Sequence, residues 1–126
     1  MSQLTINSVA GQLRLKERWL DVGDDVYYLS ERERDLMEYL MQHPNQVCSA
    51  KEIIEGAWGT GYTEDNVRVY IGKIRRNIEN NPRSPRIIRT VQSGSMKGGG
   101  GYIIVTDERR EAVLVRDLQL LEGSKR

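Results

Sequence analysis

The segment from residue 63 to residue 105 constrains the fold of this chain most, because it joins a periodic helix, a strand, a glycine-rich loop and a second strand without interruption. Apolar side chains in residues 63–80 recur at helical spacing: Val67, Ile71, Ile74 and Ile78. This pattern predicts a helix with one buried stripe. Residues 87–91 and 102–105 predict the two strands of a hairpin around the loop of residues 92–101.

The face of the predicted helix that lies opposite the stripe is basic. It carries Arg68, Lys73 and Arg76, while Arg75 lies beside the stripe. A DNA major groove admits an α-helix, and an arginine there can donate two hydrogen bonds to one guanine. The pattern therefore predicts a helix suited to a major groove, with a hairpin beside it that can reach the flanking backbone or minor groove.

The net charge of +1 is unevenly distributed along the chain. Residues 1–62 carry six basic and ten acidic side chains, whereas residues 63–97 carry eight basic and three acidic ones, a net charge of +5. A positive excess on one helix and one hairpin is typical of contact with a phosphate backbone. The alternative is a solvated charged face that binds nothing. We favour binding because the excess coincides with those two elements.

Length and composition narrow the class of protein. The chain has 126 residues, of which 38% are hydrophobic and 29% charged, as in a single globular domain. Its apolar runs fall short of the roughly 20 residues of a membrane helix, and its start does not resemble a signal peptide. One cysteine, Cys48, and one histidine, His43, provide neither an internal disulfide nor a Cys/His zinc site. We therefore predict a cytoplasmic protein that binds no membrane, metal or cofactor.

The first 29 residues predict a small antiparallel sheet. Four short segments have the composition of strands, and turn-forming residues around Gly11 and Gly23 separate them. The segments are residues 4–6, 13–15, 19–22 and 26–29.

Capping residues mark the starts of three helices. Ser30 and Glu33 form one predicted capping box, and Ser49 and Glu52 form a second. Thr63 is the expected N-cap of the third helix. We expect this helix to be stopped by the Asn-Asn-Pro sequence at residues 80–82.

The order of elements is a sheet, three helices and a hairpin, which predicts an α+β fold. The second and third helices, joined by a short loop, form a helix-turn-helix-like unit. The acidic side chains of the first helix fit a solvated face, and the glycine run at residues 98–101 lacks the lysine and Ser/Thr of a phosphate-binding loop. We therefore expect no enzyme activity.

Six fragments in this order resemble the winged-helix DNA-binding domain of OmpR/PhoB-type response regulators, over about residues 4–105. The fragments are Leu29-Ser30-x-x-Glu33-x-x-Leu36, His43-Pro44-x-x-Val47-x-Ser49-x-x-x-Ile53, Trp58-Gly59, Asn66-Val67-x-Val69-x-Ile71-x-x-Ile74-Arg75-Arg76, Arg89-Thr90-Val91 and Gly101-Tyr102. The resemblance implies a winged helix-turn-helix with a four-stranded N-terminal sheet, three helices and a C-terminal hairpin wing. It also implies that the third helix enters the major groove of double-stranded DNA while the wing contacts the adjacent minor groove.

The resemblance also implies which positions contact DNA and other partners. On the helix they are Asn66, Arg68, Tyr70, Gly72, Lys73 and Arg76, and on the strand and wing they are Thr90 and Gln92. The loop from Trp58 to Tyr62 matches the family's contact with RNA polymerase. Two departures from the family are Arg34, at a position usually taken by a core aromatic residue, and Gln92, at one usually taken by arginine.

The residues themselves extend the predicted DNA-binding set. Arg75, Arg76, Arg89 and Thr90 are expected to meet phosphates, which orient a protein without reading sequence. Lys97 in the wing loop and Tyr102 after it complete the set.

Several of these positions also have an ordinary structural interpretation. For Arg75 the alternative is an intramolecular salt bridge, and for Tyr70 it is a half-buried aromatic side chain. Gly72 indicates either that DNA approaches the helix closely there or that the position tolerates many residue types. Trp58 is predicted to pack the second and third helices together, and Cys48 to be buried and unreactive.

Residues 1–105 are predicted to form the domain, and residues 106–126 an extension. The extension forms either a strand followed by a helical turn or one amphipathic helix used for dimerisation. Function is predicted to be sequence-specific DNA binding in transcription regulation, with a homodimer on DNA as one arrangement. The alternative is a protein-interaction module of the same fold that binds RNA polymerase or another regulator. Because the family's receiver domain does not fit in this length, we expect an excised effector domain or a standalone regulator.

Overall fold

The computed structural model describes residues 3–92 and 100–106 and confirms the predicted α+β winged-helix architecture. The elements in chain order are β1 (Gln3–Ser8), β2 (Gly11–Lys16), β3 (Trp19–Val22), β4 (Asp25–Tyr28), α1 (Glu31–Met41), α2 (Ala50–Ile53), a π-helical turn (Ile54–Trp58), α3 (Glu64–Ile78), β5 (Ile88–Val91) and β6 (Gly101–Ile104). No helix in these two stretches is long and apolar enough to cross a bilayer.

Strands β1 to β4 form an antiparallel sheet in chain order, and β5 and β6 form a separate hairpin. Because side chains alternate across a strand, the sheet buries one face. The buried residues on that face are Leu13, Leu15, Leu20 and Val22. The opposite face exposes Trp19 and Tyr28, which are partners in the register between β3 and β4.

The helices complete the core between the sheet and the hairpin. The stripe predicted for α3 is confirmed, since Val67, Ile71, Ile74 and Ile78 are all buried. From α1 the core receives Leu36, Met37, Leu40 and Met41. The capping boxes of α1 and α2 form as predicted, and Thr63 caps α3.

The second helix changes geometry after one turn. Helix α2 covers only four residues, and the chain continues as a π-helical turn in which the Gly59 N–H donates to the Ile54 carbonyl at 2.7 Å. Within this turn Gly56 lies against the ring of Tyr39, where a Cβ atom would collide with the ring. The close approach of α1 to this turn therefore requires glycine at position 56.

The end of α3 differs from the prediction. The helix ends at Ile78, and Glu79 already has extended backbone angles, so residues 80–82 do not stop it. The carboxylate of Glu79 is buried and accepts hydrogen bonds from the backbone N–H groups of Arg86, Ile87 and Ile88 at 2.8–3.1 Å. This anchoring of the following loop turns the backbone out of the helix two residues earlier than expected.

Strand β6 is fastened to the segment between α1 and α2. Cys48 and Tyr102 exchange two backbone hydrogen bonds of 2.8 Å, and Gly101 lies so close to the Cys48 backbone that a Cβ atom would collide with it. One residue beyond the predicted domain boundary at 105, Thr106 is buried and bonds to the side chain of Asn45 at 2.6 Å. Residues 107–126 lie outside the described residues, so both structures predicted for the extension stay predictions.

Candidate nucleic-acid interface

The outer face of α3 is an exposed helical surface opposite the buried stripe. At 100° per residue, Asp65, Val69, Gly72, Lys73 and Arg76 cluster around the direction that points away from the core. The side chain of Val69 is 49% exposed at the centre of this face. Lys73 is its neighbour one turn further along, Asp65 one turn before. An exposed β-branched side chain beside a cation suits a groove floor, where apolar groups meet thymine methyls and cations meet acceptors.

Arg68 lies at one edge of this face and is paired within the helix. Its Nη2 atom donates to Asp65 Oδ1 at 2.6 Å, and both side chains are more than 70% exposed, at 72% and 78%. An exposed pair of this kind contributes little to stability, because water solvates both charges well. Arg68 can therefore leave Asp65 for an acceptor on a ligand at small cost.

Asn66 takes part in the cap of α3. Its Oδ1 atom accepts a hydrogen bond from the Thr63 N–H at 2.9 Å, and the Thr63 hydroxyl accepts one from the Asn66 N–H at 3.2 Å. Asn66 is a predicted DNA-contacting residue, and its Oδ1 atom is thus engaged in the N-terminal cap of α3. Its role at the interface stays a prediction.

Tyr70 lies on the flank of α3 that faces Trp58. The two rings meet edge to face with centroids 5.3 Å apart, and the Lys73 ammonium lies 5.1 Å from the Tyr70 ring centroid. Trp58 itself donates from Nε1 to the Arg32 carbonyl at 3.1 Å and packs on Tyr62. The predicted packing role of Trp58 is confirmed, and the contacts of Tyr70 favour its structural interpretation.

Gly72 has no internal packing reason to be glycine. A Cβ atom at this position would meet only the mobile end of Arg76, at 3.7 Å. Glycine in a helix interior costs about 1 kcal/mol relative to alanine. Packing within the fold therefore does not require glycine at position 72. Of the two interpretations, only the close approach of a ligand would require it.

Arg75 joins α3 to the hairpin. Its guanidinium donates to the Ile88 carbonyl from Nε and Nη2, at 3.0 and 2.7 Å, and to Thr90 Oγ1 at 2.9 Å. Burial lowers the pKa of this guanidinium below its ordinary value, while Glu79 and Tyr102 act in the opposite direction. Arg75 is thus engaged within the chain, but by hydrogen bonds to a carbonyl and a hydroxyl and not by the salt bridge given as its alternative.

The hairpin places the remaining predicted residues on the Arg75 side of α3. Arg89 is exposed and donates from Nε to the Arg86 carbonyl at 3.2 Å, and Thr90 is exposed beside it. Tyr102 is half-buried, with its ring centroid 5.9 Å from Arg75 Cζ. Gln92 is exposed after β5, and Lys97 lies outside the described residues.

The structure therefore groups the predicted residues into two neighbouring sets. One is the outer face of α3, with Gly72, Lys73 and Arg76 and with Arg68 at its edge. The other is the flank next to the hairpin, formed by Arg75, Arg89, Thr90 and Tyr102. Val69 was not among the predicted residues, although its position opposite the stripe places it on the exposed face.

Arg34 occupies the position where the family usually has a core aromatic residue. Its side chain lies partly exposed at the edge of the core. Its guanidinium pairs with Glu38 at 2.8 Å and with Asp35 at 3.3 Å, while its Nε atom is buried without a hydrogen-bond partner. The ion pairs and partial exposure to water balance its charge. Helix α1 contributes Leu36, Met37, Leu40 and Met41 to the core.

The region that contains both sets of predicted residues matches a known protein family. A family described as "Transcriptional regulatory protein, C terminal" matches residues 24–97. The chain is 35% identical over 96 residues to the Bacillus subtilis protein YkoG, an uncharacterised transcriptional regulatory protein, covering 73% of this chain and 39% of YkoG. It is 39% identical over 75 residues to the B. subtilis transcriptional regulatory protein YvrH, covering 58% of this chain and 32% of YvrH. The chain thus spans less than half the length of these relatives.

Solved structures share the fold at lower sequence identity. The DNA-binding domain of Klebsiella pneumoniae RstA in complex with the RstA box has a TM-score of 0.62 at 22% identity, covering 80% of this chain and 96% of that one. The DNA-binding domain of Escherichia coli CadC has a TM-score of 0.63 at 20% identity, covering 83% and 94%.

Proposed function

The chain belongs to the family of C-terminal domains of transcriptional regulatory proteins, the OmpR/PhoB-type DNA-binding domains of response regulators, and from this premise we propose that it binds double-stranded DNA sequence-specifically through α3. In this proposal the outer face of α3 enters the major groove. Arg68 and Lys73 are the residues that contact base edges, and Val69 lies against the groove floor.

The outer face of α3 is the observation that carries this proposal. Its cations are exposed, its centre is occupied by Val69 and Gly72, and the buried stripe behind it holds the helix rigidly on the core. A rigid helix with cations around a shallow apolar centre matches the donors, acceptors and methyl groups of a major groove. The related RstA domain binds its own DNA box, which supports the same use of the fold here.

The hairpin is proposed to act as the wing. Arg75 holds β5 against the flank of α3, so a duplex seated on the outer face runs on toward Arg89 and Thr90. Contacts there orient the protein on the backbone and leave base reading to the helix. Such a regulator acts in the cytoplasm, alone or as a homodimer on its operator.

DNA affinity measured against salt concentration tests the proposal. A duplex selected from a random pool should bind with a log–log slope of about −0.9 per phosphate contact. Arg68→Ala and Lys73→Ala should each weaken binding to that duplex more than to a scrambled one. Lys16→Ala, which removes the same charge from the N-terminal sheet, serves as the control. Wild-type protein that binds neither duplex at low salt would refute the proposal.

We also propose that the loop from Trp58 to Tyr62 contacts RNA polymerase. Trp58 anchors one end of the loop through its bond to Arg32, and Gly59 and Gly61 adopt positive φ angles of 91° and 92°. The loop forms one wall of a surface cleft of about 410 Å³. Substitution of Thr60 at the tip should reduce transcription activation while DNA affinity stays unchanged. An equal loss of transcription activation and of DNA affinity would contradict a contact of this loop with RNA polymerase.

A further inference from the structure

A second cleft lies on the hairpin side of α3. It measures about 420 Å³ and is lined by six residues, two of them prolines. The lining residues are Arg75, Pro82, Arg83, Pro85, Arg89 and Thr90. Helix α3, the loop that follows it and strand β5 thus each contribute a basic side chain to one concave surface.

The loop wall of this cleft is held in one conformation. The buried carboxylate of Glu79 binds three successive backbone N–H groups at the far end of the loop. At the near end, the side chain and carbonyl oxygens of Asn81 accept bonds from the Arg83 and Ser84 N–H groups at 3.1 and 2.9 Å. The two prolines further restrict φ. Arg83 therefore projects from a loop that loses little backbone entropy on binding.

The positive charge of the cleft is not balanced by an acidic residue among its described lining residues. Arg75, Arg83 and Arg89 all line it, and no described lining residue is acidic. The nearest acid on the same loop, Glu79, is turned inward to the backbone. Three cations brought together on a preordered surface favour an anion, and guanidinium groups match the geometry of a phosphate.

The position of the cleft indicates the source of that anion. Arg75, its inner wall, lies seven residues from Arg68 and therefore on the same edge of α3. The cleft is consequently adjacent to the outer face and lies between that face and the wing. In the proposed binding mode, a duplex seated on the outer face has this cleft at its flank on the hairpin side.

We propose that this cleft is a phosphate-binding site in which Arg83 and Arg89 hold one phosphate group beside the major-groove helix. The inference rests on the proposed DNA-binding function and adds Arg83, which the resemblance to the family does not imply. Arg75 and Thr90 form the inner wall, where the Thr90 hydroxyl accepts a hydrogen bond from Arg75 Nη2 at 2.9 Å.

Salt-dependent binding of the full chain to selected and scrambled duplexes tests the site. Arg83→Ala and Arg89→Ala should each reduce the magnitude of the log–log salt slope, and because both side chains hold one phosphate, the double variant should lose about 0.9 in total. Both single variants should weaken binding to the two duplexes by the same factor, because a phosphate contact carries no sequence information. Arg86→Ala is the matched control, since Arg86 is an exposed arginine of the same loop that does not line the cleft.

Three results would overturn the site while leaving DNA binding intact. These are an Arg83→Ala slope equal to that of wild type, equal losses for Arg83→Ala and Arg86→Ala, and an altered preferred sequence in Arg83→Ala. Wild-type protein without salt-dependent binding would instead refute the proposed function itself.

Replacing chloride by inorganic phosphate at constant ionic strength distinguishes the two sources of the phosphate group. Competition seen for wild type and absent from the Arg83→Ala/Arg89→Ala double variant identifies a site that also takes free phosphate. Equal DNA affinity in both salts identifies the DNA backbone as the source. Either result is compatible with a phosphate site in the cleft, provided that the Arg83 and Arg89 variants reduce the salt slope of DNA binding as expected.

Discussion

The guanidinium of Arg75 donates two hydrogen bonds to the carbonyl oxygen of Ile88, and this pairing joins strand β5 to the flank of helix α3. Ile88 is fully buried at the start of β5, while Arg75 lies one turn before the end of α3. The two residues are thirteen positions apart and are joined by the loop that Glu79 anchors. Helix α3 and strand β5 are therefore held together as one unit.

Removal of the Arg75 side chain should loosen this unit. Arg75→Ala leaves the Ile88 carbonyl without this partner, which we expect to lower the free energy of unfolding by about 1–3 kcal/mol. Urea denaturation measures this loss, and faster amide exchange in β5 localises it. Arg76→Ala is the control, because Arg76 is an exposed arginine on the same helix. Equal stability of the two variants would show that the Arg75 bonds add nothing.

Alanine at position 72 should separate stability from binding. The added Cβ fits beside Arg76, so Gly72→Ala should raise the free energy of unfolding by about 1 kcal/mol. If DNA approaches the helix closely there, the same methyl group weakens DNA binding, which is our expectation. Thermal unfolding and DNA titration of one preparation measure both effects. Unchanged affinity would instead identify Gly72 as a tolerant site.

Gly56→Ala is the contrasting glycine variant. Its Cβ would collide with the ring of Tyr39, so α1 and the π-helical turn must separate. Overpacking of this kind costs typically about 1–3 kcal/mol. The expected loss of stability is measured by the same thermal unfolding, and a stabilised variant would mean that the turn relaxes without cost.

Neutralising Glu79 should release the loop after α3. Glu79→Gln replaces an acceptor oxygen with an N–H donor that faces three backbone donors, and we expect a loss of about 2–3 kcal/mol in stability. Glu55→Gln, an exposed substitution in the π-helical turn, is the control. Because the loop carries Arg83, the Glu79 variant should also bind DNA less tightly in low salt. Stability equal to that of the control would contradict the anchoring role.

Cys48 should make stability fall at alkaline pH. Burial, and secondarily the charge of Glu52, raise the pKa of its thiol from its ordinary value to about 11. The folded state therefore keeps the proton that the unfolded state loses, and stability is fully present below pH 9 and declines as the pH rises toward 11. Cys48→Ala should flatten this decline, leaving the contribution of Tyr39, whose pKa burial also raises.

The same thiol should resist reagents in the native state at neutral pH, since the thiolate is the reactive form. Native protein treated with a thiol reagent at pH 8 should react far more slowly than protein in urea. Equal rates would show that Cys48 is accessible and ionised, against its 1% exposure.

Much of the fold could be predicted because it depends on local patterns. The buried stripe of α3, the two capping boxes and the sheet strands follow from periodicity and from side chains that bond within a few residues. Boundaries were less certain, as at β4, which begins and ends one residue earlier than predicted, and at Ile78. The outer-face residues were also predictable, since a helix with a known buried side has a known exposed one.

By itself the sequence determined which side of residues 64–78 faces outward and which charges that side carries, because both follow from spacing along one helix. Only the tertiary structure decided the partners of Arg75 and Glu79. The Arg75 guanidinium meets the buried carbonyl of Ile88, thirteen residues further along the chain, and the Glu79 carboxylate meets the backbone N–H groups of Arg86, Ile87 and Ile88. Packing also brings Arg83 to the same cleft as Arg75 and Arg89. A charge on the chain does not specify its partner until packing brings one within hydrogen-bond distance.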